Sequence, residues 1–316
     1  MIISSDFTTQ AIQLFENQYQ KNHVYRLYCQ LLRVNPNEID RLEKIPFLPV
    51  SFFKNHRVVT GDFVPEKRFL SSTTTGDTHS VHEIRSLAFY EDNCLDCFSS
   101  FYGHPSDYTF LALLPSYLER RDSSLIYMMN KFITVSGKKE SGFFLYNHEE
   151  LYHTLIQLQA NKQKTILFGV TYALLDFIEN YTLDFPELLV FETGGMKGRR
   201  QEMVKEQVHH LLMKAFNVDE IHSEYGMCEL FSQAYSKGNN LFETPPQMQF
   251  LLRDIKDPFD LSSSIESGVI NIIDLANRDS CAFIATDDLG KKNGKGIEIL
   301  GRLDHVPVRG CNLLLG

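Results

Sequence analysis

The segment from residue 147 to residue 223 constrains the fold most, because helical and apolar extended patterns alternate along it. In chain order its parts are NHEELYHTLIQLQA, KTILFGV, TYALLDFIENY, ELLVFETGG, a long helix predicted over 199–216, and EIHSEYG. Short continuous apolar runs between helices are typical of strands that are covered on both faces, and therefore of a parallel sheet. Ligands bind at the carboxyl ends of such strands, so the turns that follow these runs are the first places to look for a site.

The flanking segments predict a helical lead-in and a β-rich end. Apolar residues recur at helical spacing up to Pro36. The two prolines of IPFLPVSFFK (45–54) are expected to forbid a regular element there. A helix is predicted over 84–101, and FLALLP (110–115) is predicted to be a buried strand. From about residue 247 four strand-like runs follow: QMQFLLRDI, GVINIIDL, CAFIATDDLG and GIEILGR. The predicted fold is α/β, with a largely parallel sheet flanked by helices and a smaller C-terminal β lobe. The predicted parts are a lead-in at 1–60, the α/β core at 61–246, and at 247–316 the β lobe with a mobile tail.

Charge and composition exclude several classes of protein. Forty acidic against thirty-one basic residues give a net charge of −9, which repels nucleic acid and anionic lipid. The N-terminus lacks a signal-peptide pattern and no apolar run is long enough to span a membrane, so we expect a soluble, cytoplasmic protein without an integral membrane segment. The six cysteines have no framework spacing and are interpreted as thiols.

The segment SSTTTGDT (71–78) is the first of four candidate binding turns. Five successive hydroxyl side chains before a glycine can present O–H and N–H donors to phosphate oxygens. The alternative is a Ser/Thr-rich surface loop. A P-loop NTPase is not supported, because the Gly-Lys-Ser/Thr sequence is missing.

The other three turns follow predicted strands. FETGGMKGR (191–199) brings paired glycines to a strand end, where backbone can approach a flat ligand closely. SEYGMCE (223–229) offers the Tyr225 ring to a base and the Glu229 carboxylate to a cation, although a β-turn with a buried tyrosine is the alternative. The pair TDDLG (286–290) and GRLDH (301–305) could bind ribose hydroxyls through carboxylates, or be solvated turns.

Taken together, in this order and at these intervals, the four turns resemble those of the adenylate-forming superfamily, which couples a carboxylic acid to ATP as an acyl-AMP. The resemblance implies that the hydroxyl loop holds the pyrophosphate end of ATP and that a strand end with small residues lines adenine. It also implies that an aromatic-Gly-x-x-Glu turn stacks on adenine and supports Mg²⁺, and that an aspartate and an arginine bind ribose. The matching positions are Ser71, Ser72, Thr73, Thr74, Thr75 and Gly76 for pyrophosphate, Gly194 and Gly195 for adenine, Tyr225, Gly226 and Glu229 for adenine and Mg²⁺, and Asp288 and Arg302 for ribose.

Within the superfamily the chain is similar to the LuxE-type acyl-protein synthetases. The similarity rests on IPFLPVSFFK (45–54), LLPSYLERRDSSLIYMM (113–129) and the terminal RGCNLLLG (309–316), and the superfamily resemblance runs from about residue 40 to the end. Two departures from the superfamily pattern stand out. Thr73 occupies a position where glycine is common and no lysine follows Gly76, and we expect no separate C-terminal lobe bearing a catalytic lysine.

The third departure is Cys311, five residues from the end of the sequence. A thiolate is a competent nucleophile toward a mixed anhydride, and the nearby Arg309 favours the charged form. By analogy with the family's acyl-cysteine intermediate, the acyl group would move from AMP to Cys311 and then to a partner protein. The alternative is a free cysteine near a frayed terminus.

Three other groups are predicted to be structural. Cys94 and Cys97 form a lone CxxC, which is poor evidence for zinc. His209 and His210 are expected to be solvated or half-buried on a helix. Asp287 and Asp288 could bind a metal, but the ribose turn fits their sequence better.

The sequence therefore predicts a ligase that uses ATP and Mg²⁺ to activate a carboxylic acid, most simply a fatty acid, and passes the acyl group to a thiol. Its expected partners are the acid and an acceptor protein such as a fatty-acyl reductase or a carrier protein. Two alternatives stay open: a phenylacetate-type acyl-CoA ligase, and a non-catalytic scaffold that kept the fold.

Overall fold

A mixed β-sheet forms the centre of the computed structural model, which describes residues 5–71, 78–115, 122–194 and 203–303. Twelve strands belong to this sheet within the described ranges, and two further strands form a hairpin. The strands are β1 Leu48–Pro49, β2 Lys67–Leu70, β3 Val81–Ile84, β4 Thr109–Leu113, β5 Gly142–Phe144, β6 Thr165–Val170, β7 Leu189–Thr193, β8 His222–Tyr225, β9 Ala234–Ser236, β10 Leu241–Glu243, β11 Met248–Arg253, β12 Ser267–Asp274, β13 Phe283–Asn293 and β14 Gly296–Arg302.

The helices lie before and between these strands. They are α1 Ser5–Lys21, α2 His23–Leu31, α3 Phe52–Asn55, α4 Leu87–Tyr102, α5 Ser124–Ser136, α6 His148–Ala160, α7 Thr171–Ile178 and α8 Lys205–Phe216, with single 3₁₀ turns at Pro36–Glu38, Leu42–Lys44 and Pro105–Asp107. The helix predicted over 199–216 is described from Lys205 onward, and residues 199–202 lie outside the described ranges.

One half of the sheet is parallel, in the strand order β5-β4-β6-β7-β8. All six residues of β6 and all five of β4 are buried, as expected for parallel strands covered on both faces. This half of the sheet is the region in which helix and apolar strand alternate in the sequence, and it carries a cluster of buried apolar residues shared with α4–α8.

The other half is antiparallel and continues the same sheet in the order β9-β10-β14-β13-β12-β11. The four strand-like runs after residue 247 correspond to β11, β12, β13 and β14. The predicted α/β class, with β-rich structure toward the end of the chain, is confirmed. The division of the chain after residues 60 and 246 stays a prediction.

The N-terminal helices pack against strands from the far end of the chain. Buried Gln18 donates to the Asn277 carbonyl at 3.0 Å and accepts from the Ala282 amide at 2.9 Å. Buried Asn22, between α1 and α2, caps α2 through the Tyr25 amide and donates to the Ser280 carbonyl at 3.0 Å. These bonds join α1 and α2 to the β12–β13 connection.

The segment 45–54 contains two short elements, so the prediction that its prolines forbid a regular element is wrong. β1 pairs in parallel with β13, with Leu48 opposite Ile284, and the Val50 amide donates to the Ala285 carbonyl at 2.9 Å. Pro49 is tolerated because it ends a two-residue strand, where one missing donor costs little.

The hydroxyl-rich loop lies between the strands of the β2–β3 hairpin, which the sequence analysis did not predict. At the base of the loop, the Ser71 amide donates to the Ser80 carbonyl at 3.1 Å, and the Ser80 amide donates to Ser71 Oγ at 2.9 Å. Both ends of the loop are therefore fixed to each other.

All five cysteines within the described ranges are free thiols, as predicted. A search of the described residues found no helix with the length and apolar character needed to cross a bilayer.

Candidate nucleotide site

Two of the predicted turns lie side by side at the carboxyl ends of neighbouring parallel strands. β7 and β8 are paired through Phe191 with His222, and Gly194 directly follows β7 with a φ of 74°. Thr193 Oγ1 donates to the Glu224 carboxylate at 2.7 Å, which joins the ends of the two strands. Gly194 and Tyr225 are thus held at one edge of the sheet.

The Tyr225 side chain meets Asp288 at this edge. The phenol donates to Asp288 Oδ2 at 2.7 Å, and the ring contacts the edges of Phe242 and Phe250. Burial, followed by the Asp288 carboxylate, raises the pKa of Tyr225. Burial also raises the pKa of Asp288, and the Tyr225 hydrogen bond opposes that shift. The turn after β8 is therefore linked directly to the candidate ribose aspartate of β13.

Asp288 and Arg302 face each other across β13 and β14 as register partners, with Arg302 Nε 3.8 Å from Asp288 Oδ1. Arg302 Nη2 lies closer, at 3.3 Å, to Asp287 Oδ2. Side chains alternate between the two faces of an extended strand, so the sequence predicts that Asp287 points away from Asp288 and Arg302. That prediction is wrong, because the Asp287 carboxylate contacts the arginine. A register shift between Leu289 and Gly290 disturbs the ladder beside these residues, and the long Arg302 side chain reaches both carboxylates.

Gly226 is required by the shape of the turn. A Cβ on this residue would overlap Glu224 Oε1, because the buried Glu224 carboxyl folds back over the turn. Burial and the neighbouring Glu192 charge raise the pKa of Glu224 to about 7, although the Thr193 hydrogen bond opposes the shift.

Glu229 lies at the base of the hydroxyl loop. Its carboxyl group is buried beside Ser80, which is hydrogen-bonded to Ser71. Burial raises the pKa of Glu229. The backbone around it is fixed by two buried side chains: Asn277 Nδ2 donates to the Glu229 carbonyl at 2.8 Å, and His82 Nδ1 lies 2.8 Å from the Cys228 carbonyl. The 226–229 turn therefore contacts Ser80, which is hydrogen-bonded to Ser71 at the start of the segment predicted to bind phosphate.

Several predicted site residues lie outside the described ranges. They are Ser72, Thr73, Thr74, Thr75, Gly76, Gly195 and Cys311. Among the residues the structure does describe, Ser71, Gly194, Tyr225, Gly226, Glu229, Asp288 and Arg302 are distributed over the β2–β3 hairpin, the β7 and β8 ends, and the β13–β14 pair.

The fit of Mg²⁺ to this site depends on Glu229. No group of three or more His, Cys, Asp and Glu side chains in the described parts of the chain could hold a metal ion. Magnesium at nucleotide sites is usually bound by one or two carboxylates together with substrate phosphates. One carboxylate near the loop that is predicted to bind phosphate is consistent with that mode.

A buried ionic cluster at the end of β7 was missed by the sequence analysis. The Glu192 carboxylate is 1% exposed and binds Lys205 Nζ at 2.9 Å, with His209 Nε2 at 3.5 Å. The expectation that His209 is solvated or half-buried is wrong, because the residue packs against Glu192 and is 8% exposed. The sequence contained one signal for this cluster, a glutamate at the end of an apolar strand. A buried charge requires a partner, so such a glutamate predicts one.

The raised pKa of Glu224 predicts a loss of stability as the pH rises. Because the folded-state pKa is about 7 and the ordinary value is 4.5, stability from the protonated carboxyl is complete below pH 4.5 and is lost as the pH rises to 7. The linked free energy is about 3 kcal/mol. Thermal unfolding between pH 5 and 8 should show a falling midpoint in the wild type and a flatter profile in Glu224→Gln. The exposed Glu187→Gln serves as the control, and a wild-type slope that persists in Glu224→Gln would contradict the assignment.

Comparisons with known proteins agree with this fold. A family model described as "Acyl-protein synthetase, LuxE" matches residues 4–87. A long-chain-fatty-acid–luciferin-component ligase from Aliivibrio fischeri is 22% identical over 335 residues, covering 95% of this chain and 85% of that protein. The crystal structure of an open 2-hydroxyisobutyryl-CoA ligase, in complex with its acyl-AMP and CoA, superposes with a TM-score of 0.69 at 12% identity, covering 96% of this chain and 71% of the other.

The chain has the adenylate-forming ligase fold and resembles the LuxE-type acyl-protein synthetases. The predicted resemblance and the predicted ligase class are both confirmed. ATP-bound MatB from Rhodopseudomonas palustris is a second structural neighbour, with a TM-score of 0.52 at 16% identity, covering 74% of this chain and 47% of that protein.

Proposed function

We propose that this LuxE-like chain activates a carboxylic acid, specifically a fatty acid, as acyl-AMP with Mg²⁺ and ATP, and then transfers the acyl group to a thiol. The observation that carries the proposal is the contact between Tyr225 and Asp288, at 2.7 Å, beside Gly194 at the carboxyl ends of β7 and β8. It brings the candidate adenine and ribose contacts together at the sheet edge where α/β proteins bind ligands.

Each nucleotide contact has a distinct chemical role in this proposal. Gly194 allows the backbone to approach the adenine plane, and the Tyr225 ring offers an aromatic face. Asp288 accepts hydrogen bonds from the ribose hydroxyls, and the nearby Arg302 charge favours the ionised form of that carboxylate. The Tyr225 phenol holds Asp288 in place from the other side.

The first reaction requires the acid to attack the α-phosphorus in line. A carboxylate oxygen forms the new P–O bond, the bond to the bridging oxygen breaks, and pyrophosphate departs with the electron pair. The protein must orient the two reactants and stabilise charge on the departing group. Glu229 would hold Mg²⁺, which neutralises phosphate charge when bound, and the hydroxyl loop from Ser71 to Gly76 would bind the pyrophosphate end of ATP.

The second reaction transfers the acyl group to a thiol, which we assign to Cys311. Its thiolate would attack the acyl carbonyl and release AMP, and the acyl group would then pass to a partner such as a fatty-acyl reductase or a carrier protein. The thiols within the described ranges are poor alternatives, because burial raises the pKa of Cys29 and Cys97 to about 12 and also raises the pKa values of Cys94, Cys228 and Cys281. The cytoplasmic location stays a prediction from the sequence.

Carboxylate-dependent exchange of pyrophosphate into ATP tests the adenylation step. A panel of fatty and aromatic acids should give exchange with fatty acids and little with aromatic ones. An acyl label found on CoA but never on protein would favour an acyl-CoA ligase. A protein that gives no exchange with any acid and no Mg²⁺-dependent heat on titration with ATP would be a scaffold.

Replacement of Asp288 by alanine should raise the KM for ATP in this exchange by at least about tenfold, because two charge-assisted hydrogen bonds to ribose are lost. Asp287→Ala is the matched control. Its contact with Arg302 joins two side chains that are 43% and 52% exposed, and such pairs contribute little, so its KM should change less than about twofold. Unchanged KM and kcat for ATP in Asp288→Ala would refute the ribose assignment.

A further inference from the structure

The buried carboxylate of Glu192 lies near the candidate site and has several polar partners. Besides Lys205 and His209, it accepts hydrogen bonds from Thr171 Oγ1 at 2.8 Å and Ser223 Oγ at 2.9 Å. Burial raises the pKa of Glu192, but Lys205 and His209 outweigh burial and hold it at about 2. The group is therefore ionised throughout the physiological range. Four elements contribute to this cluster: the starts of α7 and α8, and the strands β7 and β8.

Lys205 extends this cluster across the sheet. The ammonium that binds Glu192 also donates to Asn240 Oδ1 at 2.9 Å, and it lies 4.9 Å from the centre of the Phe242 ring. Asn240 Nδ2 in turn donates to the Ile299 carbonyl of β14 at 2.7 Å. Lys205, through Asn240, thus connects β7, which Gly194 follows, with the strand that carries Arg302.

The residues that Lys205 contacts lie next to the candidate nucleotide residues in the sequence or in space, but they are not candidate residues themselves. Glu192 lies two positions before Gly194, and Ile299 lies three positions before Arg302. Phe242, under the ammonium, also contacts the Tyr225 ring at a centroid distance of 6.1 Å. A shift of Lys205 would therefore be transmitted to the adenine side and to the ribose side of the site.

We propose that Lys205 is a positioning residue that holds the Gly194 turn and the Tyr225–Asp288–Arg302 group in one fixed geometry. The proposal rests on the proposed adenylating function for its catalytic consequence, but the coupling itself is a property of the fold. Misplacement of reacting groups by about 1 Å can reduce rates by about 100-fold, so a side chain distant from the reaction can have a large effect.

The variant Lys205→Met keeps an unbranched stem over Phe242 and removes the charge. We expect kcat/KM for ATP in pyrophosphate exchange to fall by at least about tenfold. Lys205→Arg should recover most of this loss, because a guanidinium can bind Glu192 and Asn240 together. Lys214→Met, on the exposed face of the same helix, is the matched control and should behave as the wild type.

A double variant separates positioning from charge balance. Lys205→Met alone leaves the Glu192 carboxylate buried without its ammonium partner, which destabilises the fold whatever the role of Lys205. Lys205→Met combined with Glu192→Gln removes both charges. If the double variant regains thermal stability but keeps the low kcat/KM, the positioning role stands. If it regains both, Lys205 only balances charge and the proposal is overturned.

Deuterium exchange tests the coupling independently of activity. In Lys205→Met, amides in both 189–194 and 297–302 should exchange faster than in the wild type and in Lys214→Met. Faster exchange in 189–194 alone would overturn the coupling even if the adenylation reaction is active. Faster exchange in both segments, in a protein that catalyses no pyrophosphate exchange, would support the coupling and refute the proposed function.

Discussion

The Glu229→Gln protein should lose about 100-fold in the rate of carboxylate-dependent pyrophosphate exchange, because the change removes a negative charge that would face Mg²⁺ and phosphate. The fold should be unaffected. Glutamine has nearly the same shape, and burial already raises the pKa of Glu229, so loss of the charge costs the folded state little. Exchange rates at saturating acid and thermal midpoints are the measurements.

The exposed Glu243→Gln on β10 controls for a general change in net charge. A second control is the Mg²⁺ dependence of exchange, which should shift to higher concentration in Glu229→Gln alone. Full exchange activity in Glu229→Gln, at the wild-type Mg²⁺ requirement, would remove Glu229 from the metal and phosphate chemistry.

The Cys311→Ser protein should form acyl-AMP normally and carry no stable acyl group. A serine hydroxyl is far less ionised than a thiol at neutral pH, so hydroxylamine-sensitive acylation should fall below detection while pyrophosphate exchange stays within about twofold of wild type. Intact-mass measurement after incubation with ATP and fatty acid gives the first quantity. Cys29→Ala, within α2, is the matched control and should be acylated as the wild type.

Two results would contradict the acyl-cysteine step. One is an acyl group on the Cys311→Ser protein, and the other is a wild-type protein that never carries one. In either case adenylation stands on its own evidence. The acceptor would be another residue of this protein in the first case, and CoA or a carrier-protein thiol in the second.

The sequence was sufficient for the strands that are long and apolar. β4, β6 and β7, and later β11–β14, each contain enough apolar residues to identify an element and its class. The three-residue strands β5, β9 and β10 were not found, because three residues carry no measurable periodicity. The β2–β3 hairpin was missed for a similar reason, since its four-residue strands flank a polar loop.

The sequence likewise identified some residues of the candidate site and missed others. Tyr225 was found because it stands at the end of a strand, and a parallel sheet brings strand ends together. Asp288 was found from the sequence TDDLG, but the prediction of a turn at 286–290 is wrong, because these residues lie within β13. The Glu192 cluster was not found, because its partners are distant in the sequence: Thr171 is 21 residues away and Ser223 is 31. Asp287 was misplaced because strand alternation does not take into account that the long Arg302 side chain reaches both carboxylates.

The hydrogen bonds of Gln18 and Asn22 to residues 277–282 have a consequence for how the chain folds. These contacts join residues about 260 positions apart, so α1 and α2 must wait for the last strands before their buried polar groups are satisfied. Contacts of such long sequence separation slow folding, because loop closure precedes any gain from them. During synthesis the N-terminal helices emerge first and complete their core last, which leaves apolar side chains such as Phe15 and Tyr25 exposed to chaperones and to aggregation until β13 is made.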